Sequence, residues 1–200
     1  VDTVVHMAWF AEPGKYLQSL KNLDCLVGTV QMAKGAVKAG KRRLVGIGTC
    51  FEYDLNYGLL TSETPLSPVT TYAGAKAATF FALSQYLLYE QVEFAWCRLF
   101  YLYGEGEDSR RLVPYIRNKL SLGKIANLTS GNQVRDYMDV KEASNMIVKV
   151  ALGDFQGVAN VCSGVPITIR RIAESIADEY GRRDLLNFSE QAAIEDPLCV

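Results

Sequence analysis

Histidine is nearly absent from this chain, and the single His6 removes most imidazole chemistry from consideration. A Ser-His-Asp hydrolase needs a histidine base, and zinc sites built from several histidines need more than one. No stretch approaches the ~18 uncharged apolar residues of a membrane span. Charge of one sign is also missing. A net charge of −1 and a pI near 5.9 give no reason to expect nucleic acid or an anionic membrane as partner. Five cysteines (Cys25, Cys50, Cys97, Cys162, Cys199) are widely spaced, odd in number and free of Cys-x-x-Cys. They read as reduced, mostly buried thiols of a cytoplasmic protein. No metal site is expected.

What is abundant is apolar material, 49% of 200 residues, enough for a sizeable core in one domain or one and a half. The ends suggest a piece of a longer protein: Val1 is followed at once by strand-like Thr3-Val4-Val5-His6-Met7-Ala8, and Asp196-Pro197-Leu198-Cys199-Val200 closes no element. Between them, strand-like and helix-like stretches alternate, which predicts an α/β fold with helices covering a parallel sheet. The helices are expected at 22–39, 71–91, 112–122, 140–152 and 169–180. The strands are expected at 3–8, 44–48 and 94–100. In the second helix Ala73, Ala77, Phe80, Phe81, Leu87 and Leu88 are expected on one apolar side. The texture turns charged after Gly104, so a soft boundary is placed there, with regions 1–105 and 106–200 interleaved.

The most informative residues are Tyr72 and Lys76 in Thr71-Tyr72-Ala73-Gly74-Ala75-Lys76, with Thr49 upstream at the end of the apolar run Leu44-Val45-Gly46-Ile47-Gly48. Residues i and i+4 share a helix face, about 6 Å apart along the axis. The Lys76 ammonium is therefore expected near the Tyr72 phenol, where a cation favours phenolate. Bringing a phenol from about 10 to near 7 takes roughly 4 kcal/mol. Thr49, at the carboxyl end of its strand, lies where open α/β sheets bind ligands. It is expected to orient an oxygen whose proton Tyr72 takes or gives.

Other candidates read more plainly. Gly35 to Lys41 spells Gly-x-x-x-x-Gly-Lys, but Arg42 stands where a phosphate loop needs Ser or Thr, so a helix terminus is expected. His6 reads as a hydrogen-bonded residue near the core. Cys50 reads as buried rather than nucleophilic. Arg110, Arg111 and Arg135 have the guanidinium fork that suits phosphate, and Asp136 is a candidate ion-pair partner for Arg135.

Taken in order, several segments resemble the extended short-chain dehydrogenase/reductase family, in its nucleotide-sugar epimerase/dehydratase branch. They are Asp2 to Ala8, Gly28-Thr29, Gly48 to Tyr53, Pro68 to Lys76, Arg98 to Gly104, Leu112 to Ile116 and Gly131 to Val140. The resemblance implies a Rossmann-like parallel sheet that lacks its first strands here, plus a smaller α+β substrate region. It implies NAD or NADP as cofactor and a nucleoside-diphosphate sugar as substrate. Tyr72 would be the acid/base, Lys76 would hold the nicotinamide ribose, and Thr49 would bond the reacting oxygen. Met7, Ala8 and Phe100 would line the cofactor; Tyr101, Arg111, Leu112 and Arg135 would meet the nucleotide sugar. A homodimer through helices 22–39 and 71–91 would also follow.

Departures from the family pattern narrow the reading. The Gly-x-x-Gly-x-x-Gly turn is absent, and with it the residue that separates NAD from NADP. Cys50-Phe51 stand where sugar-4,6-dehydratases place Asp-Glu, so dehydration is disfavoured. The expected reaction is 4-ketoreduction, with C4 epimerisation as alternative and a non-catalytic NAD(P)-binding sensor or scaffold as the reading of a different class. The 200 residues by themselves are expected to be inactive.

Overall fold

A computed structural model describes residues 2–189 and 198–200; the Asp196-Pro197 part of the chain end read from sequence lies outside them. Four strands form a parallel sheet in the order β1 (Thr3–His6), β2 (Arg43–Thr49), β3 (Glu93–Leu99), β7 (Gly157–Val161). Three further strands, β4 (Tyr101–Tyr103), β6 (Val134–Asp139) and β8 (Pro166–Thr168), make a second sheet, and β5 (Ala126–Leu128) pairs with β9 (Leu186–Phe188). The helices are α1 (Lys21–Lys38), α2 (Thr71–Tyr89), α3 (Leu112–Ser121), α4 (Val140–Leu152) and α5 (Ile169–Tyr180). Each matches an expected helix to within two residues.

Side chains alternate across a strand, and here the alternation sorts two cores. Leu44, Phe94 and Trp96 face α1 and α2, where Ala33, Leu83 and Leu87 meet them. Val45, Ile47, Ala95 and Cys97 face the other way, onto Ala143, Ile147 and Ala151 of α4. Helices on both faces of a parallel sheet make the Rossmann-like arrangement expected from sequence. A third core joins α3 to α5 through Ile116, Leu120, Ala173 and Ile176. Gly181, in the left-handed region at φ 63°, closes α5. Gly40, at φ 67°, ends the α1 segment, so the Gly35–Lys41 motif is a helix terminus. Among the described residues no helix is long and apolar enough to cross a membrane.

One face was misjudged. Ala73, Ala77 and Leu87 are buried as expected, but Phe81 and Leu88 are exposed, and Lys76, Thr79 and Leu83 are buried instead. The buried arc of α2 is turned by about one residue step, ~100°, from the expected one. The reason is that an ammonium and a hydroxyl share the inner face, so apolar periodicity alone points elsewhere.

Gly46 and Gly48 of β2 are there because Trp96 is on the next strand. A Cβ at Gly46 would lie 2.4 Å from the Trp96 ring, and one at Gly48 2.2 Å from its Nε1 and 2.4 Å from Glu52 Oε1. Gly48→Ala is therefore expected to destabilise the fold by about 1–3 kcal/mol, the range for overpacking a core. Urea unfolding measures it, and an unchanged midpoint would mean that Trp96 has room to move.

Candidate active site

Three elements deliver the three chemical groups to one place. Strand β2 ends at Thr49, and the next three residues, Cys50–Glu52, form a 3-10 turn capped by that threonine. The Thr49 Oγ1 accepts the Phe51 N–H at 3.3 Å, which leaves the hydroxyl proton to donate outward. Helix α2 starts beside it, with Thr70 Oγ1 accepting the Ala73 N–H at 3.1 Å as the N-cap. One turn inside α2, Tyr72 and Lys76 share a face. Thr49, Tyr72 and Lys76 all line a cavity of about 400 Å³ at the carboxyl ends of the parallel strands.

Of the other residues chosen from sequence, Met7, Phe100, Tyr101 and Arg111 line that cavity too. Leu112 lines an adjoining hollow of about 200 Å³, together with Tyr101 and Arg111. Ala8 is exposed and borders neither, as does buried Arg135, whose guanidinium lies 5.4 Å from the Tyr101 ring centre. Asp136 does not serve Arg135 as an ion-pair partner. Its carboxylate accepts the Ser163 N–H at 2.8 Å, the Ser163 hydroxyl at 2.9 Å and the Gly164 N–H at 2.6 Å, fixing the turn after β7. His6 bonds Thr29 Oγ1 at 2.9 Å, as a hydrogen-bonded residue near the core would.

Electrostatics correct one expectation. The Lys76 ammonium donates to the Ile47 carbonyl at 2.6 Å and sits 3.9 Å from the centre of the Trp9 ring, against 6.0 Å from that of Tyr72. The Tyr72 phenol is therefore not depressed by it. Burial pushes that phenol well above its ordinary value, with Tyr16, Cys50 and Glu52 adding to the effect and only the Thr49 hydrogen bond opposing it. Burial likewise brings Lys76 down to about 8. In the protein alone, Tyr72 is a protonated donor. The Cys50 thiol is pushed well up by its hydrogen bond to Cys199 and by burial, which removes it as a nucleophile.

Sequence reasoning missed Trp9, Tyr16 and Glu107, which also line the cavity. Trp9 is held by Asn22 Oδ1 at 2.8 Å, and Tyr16 stands edge-on to Tyr72 with ring centres 4.8 Å apart. Glu107 carries a buried Oε2 without a partner among the described residues, on the loop that opens Gly104-Glu105-Gly106. The available signal was two aromatics in the Gly/Pro-containing loop directly after β1.

A sequence profile described as the NAD dependent epimerase/dehydratase family matches residues 1–162. A dTDP-6-deoxy-L-talose 4-dehydrogenase (NAD(+)) of Aggregatibacter actinomycetemcomitans is 23% identical over 181 residues, covering 90% of this chain and 66% of its own length. Among solved structures, a UDP-N-acetylglucosamine 4-epimerase from Methanobrevibacter ruminantium M1, in complex with UDP-N-acetylmuramic acid, superposes with a TM-score of 0.85 at 22% identity over 99% of this chain and 66% of that one. A dTDP-glucose 4,6-dehydratase from Bacillus anthracis str. Ames, in complex with NAD, gives 0.83 at 22% identity over 100% and 62%. The chain thus spans somewhat under two thirds of the length of these relatives.

The residues present suit one end of a nicotinamide dinucleotide. Exposed Met7 beyond β1, the apolar wall at Phe100 and the remaining donors of the Lys76 ammonium match a ring and its ribose. The pyrophosphate cradle, a glycine-rich turn, is not in this sequence.

Proposed function

Because this chain belongs to the NAD dependent epimerase/dehydratase family, we propose that it is the greater part of a cytoplasmic NAD-dependent oxidoreductase that acts at C4 of a nucleotide-linked sugar, reducing a 4-keto group. The observation that carries this reading is the convergence of Thr49, Tyr72 and Lys76 on one cavity at the carboxyl ends of the strands. A nicotinamide held beside Lys76 and Phe100 would supply or accept the hydride. Thr49 donates its free proton to the keto oxygen and holds it. Tyr72, kept protonated by burial, gives its phenolic proton to that oxygen as negative charge develops. Lys76, with donors left over from its bond to the Ile47 carbonyl, holds the ribose. Arg111, in both hollows, meets the diphosphate, and Tyr101 and Leu112 flank it. Buried Arg135 supports Tyr101 from behind rather than touching substrate.

A phenol that rests protonated is ready to serve a reduction, and we set ketoreduction ahead of 4-epimerisation, which uses the same phenol in both of its states. A sensor that merely binds dinucleotide would have no use for a half-buried phenol hydrogen-bonded to a threonine hydroxyl at the cavity wall. The exposed apolar side chains Leu23, Val27, Phe81 and Leu88 on α1 and α2 support a homodimer through those helices, to be tested by sedimentation velocity. The functional test supplies the full-length protein with a panel of nucleotide-4-keto sugars and with NADH or NADPH, and follows nicotinamide absorbance. Oxidation of NADH with one of the keto sugars is the expected result. Turnover with none of them, in either direction, would overturn the reading.

A further inference from the structure

Directly behind Thr49, outside the cavity, lies a buried set of polar groups that the reaction itself does not touch. Glu52, with no exposed surface, accepts the Thr49 N–H on Oε1 at 2.8 Å. The Trp96 Nε1–H is shared between its two oxygens at 3.1 Å each, and Arg98 Nε donates to Oε2 at 2.8 Å. Arg98 is also buried, its guanidinium 4.4 Å from the centre of the Tyr53 ring and 5.0 Å from that of Phe80. Burying an ion pair is weak evidence for stability, since well-packed apolar residues often serve as well or better. Here the sheet has been cut back to admit it: Gly46 and Gly48 give up their side chains to Trp96 and Glu52. Something other than stability accounts for the arrangement.

We propose that Glu52, held in place by Arg98 and Trp96, is a positioning residue for Thr49 and, through it, for Tyr72. The inference rests on the catalytic reading of Thr49 and Tyr72 given above. Its physical basis is the reciprocal cap. Glu52 takes the Thr49 backbone N–H while the Thr49 Oγ1 takes an N–H of the same turn, so both ends of the threonine are fixed at once. The Thr49 hydroxyl is thereby held within hydrogen-bond reach of the Tyr72 phenol. Several groups surround Tyr72: Tyr16 from the loop after β1, Thr49, Cys50 and Glu52 from the end of β2 and its turn, and Lys76 from its own helix. The Glu52 carboxylate acts on two of these at a distance, disfavouring the Tyr72 phenolate and favouring the Lys76 ammonium.

The test uses the full-length protein with NAD and two variants that separate contact from charge. Glu52→Gln keeps an acceptor for the Thr49 N–H and loses the charge; Glu52→Asp keeps the charge and loses the reach. Glu52→Asp is expected to lower kcat roughly ten- to a hundredfold, the scale for a misplaced group, with KM for sugar and cofactor within about twofold. Glu52→Gln is expected to shift the acid limb of kcat for the oxidative direction to lower pH, because removing a negative charge lowers the Tyr72 pKa. In tyrosine-labelled protein, both are expected to move the Cζ carbon resonance of Tyr72 at neutral pH, which senses its bond to Thr49. Should Glu52→Gln fail to fold with Arg98 left unpaired, the pair Glu52→Gln with Arg98→Met removes that charge and carries the same expectations. An unchanged kcat, pH limb and Tyr72 resonance in folded variants would overturn the proposal. A wild-type protein that turns nothing over would sink the functional reading instead, and the resonance would still judge the positioning role.

Discussion

Tyr72→Phe lowers kcat for hydride transfer by roughly a hundred- to ten-thousandfold, the usual span for removing a positioned general acid, and leaves cofactor affinity nearly unchanged. The change deletes one oxygen and keeps the ring, so the edge-on packing with Tyr16 and Trp9 survives. Without the phenol the keto oxygen still meets the Thr49 hydroxyl, but nothing delivers a proton as charge builds on it. Single-turnover absorbance at the nicotinamide band separates the chemical step from binding. A variant that binds cofactor and reduces substrate at the parental rate would move the proton source elsewhere, with half-buried Glu107 the next acid in the cavity. A variant that loses cofactor as well would mean that Tyr72 is chiefly part of the dinucleotide site.

Lys76→Met is expected to do two opposite things: lose activity by at least about tenfold and gain stability by up to about 3 kcal/mol at neutral pH. The stability half follows from linkage. Burial, the largest cause, brings Lys76 down to about 8 from an ordinary 10.5. Below about 8 the side chain is charged in both states, and the folded protein carries an ammonium that its surroundings disfavour. Between about 8 and 10.5 the unfolded chain holds a proton that the folded one has released, so stability rises with pH across that window. Methionine fills the same space, needs no partner and removes this rise. Urea unfolding at pH values on either side of the window checks both the gain and the lost slope. A variant less stable than the parent would show that the bond to the Ile47 carbonyl and the Trp9 face outweigh the burial.

The five helices and the strands β1 to β3 were legible because those strands are short apolar runs and each helix repeats its apolar residues near every third or fourth position; β4 to β9 were not, being short or, like Val134–Asp139, interrupted by charge. Thr49, Tyr72 and Lys76 were legible for a related reason. Two sit a helical turn apart, and the third ends an apolar run, so local geometry brings out their chemistry. Trp9, Tyr16 and Glu107 were not, because no local period links them and only the crossing of β1, α2 and the loop after β4 brings them together. The inner face of α2 was misplaced where polar groups intrude on it. Arg135 was chosen for its guanidinium, which the fold buries 5.4 Å from the centre of the Tyr101 ring. The resting state of the Tyr72 phenol was also misread, because spacing on a helix says nothing of which carbonyl an ammonium will choose.

The indole that covers Lys76 has a practical consequence. This protein has two tryptophans, and Trp96 is sealed in the interior, so only Trp9 borders the cavity. Its emission sits against a cation and a phenol ring at the place where a ligand must arrive. Intrinsic fluorescence therefore gives a label-free readout of occupancy, against a second fluorophore that serves as an internal constant.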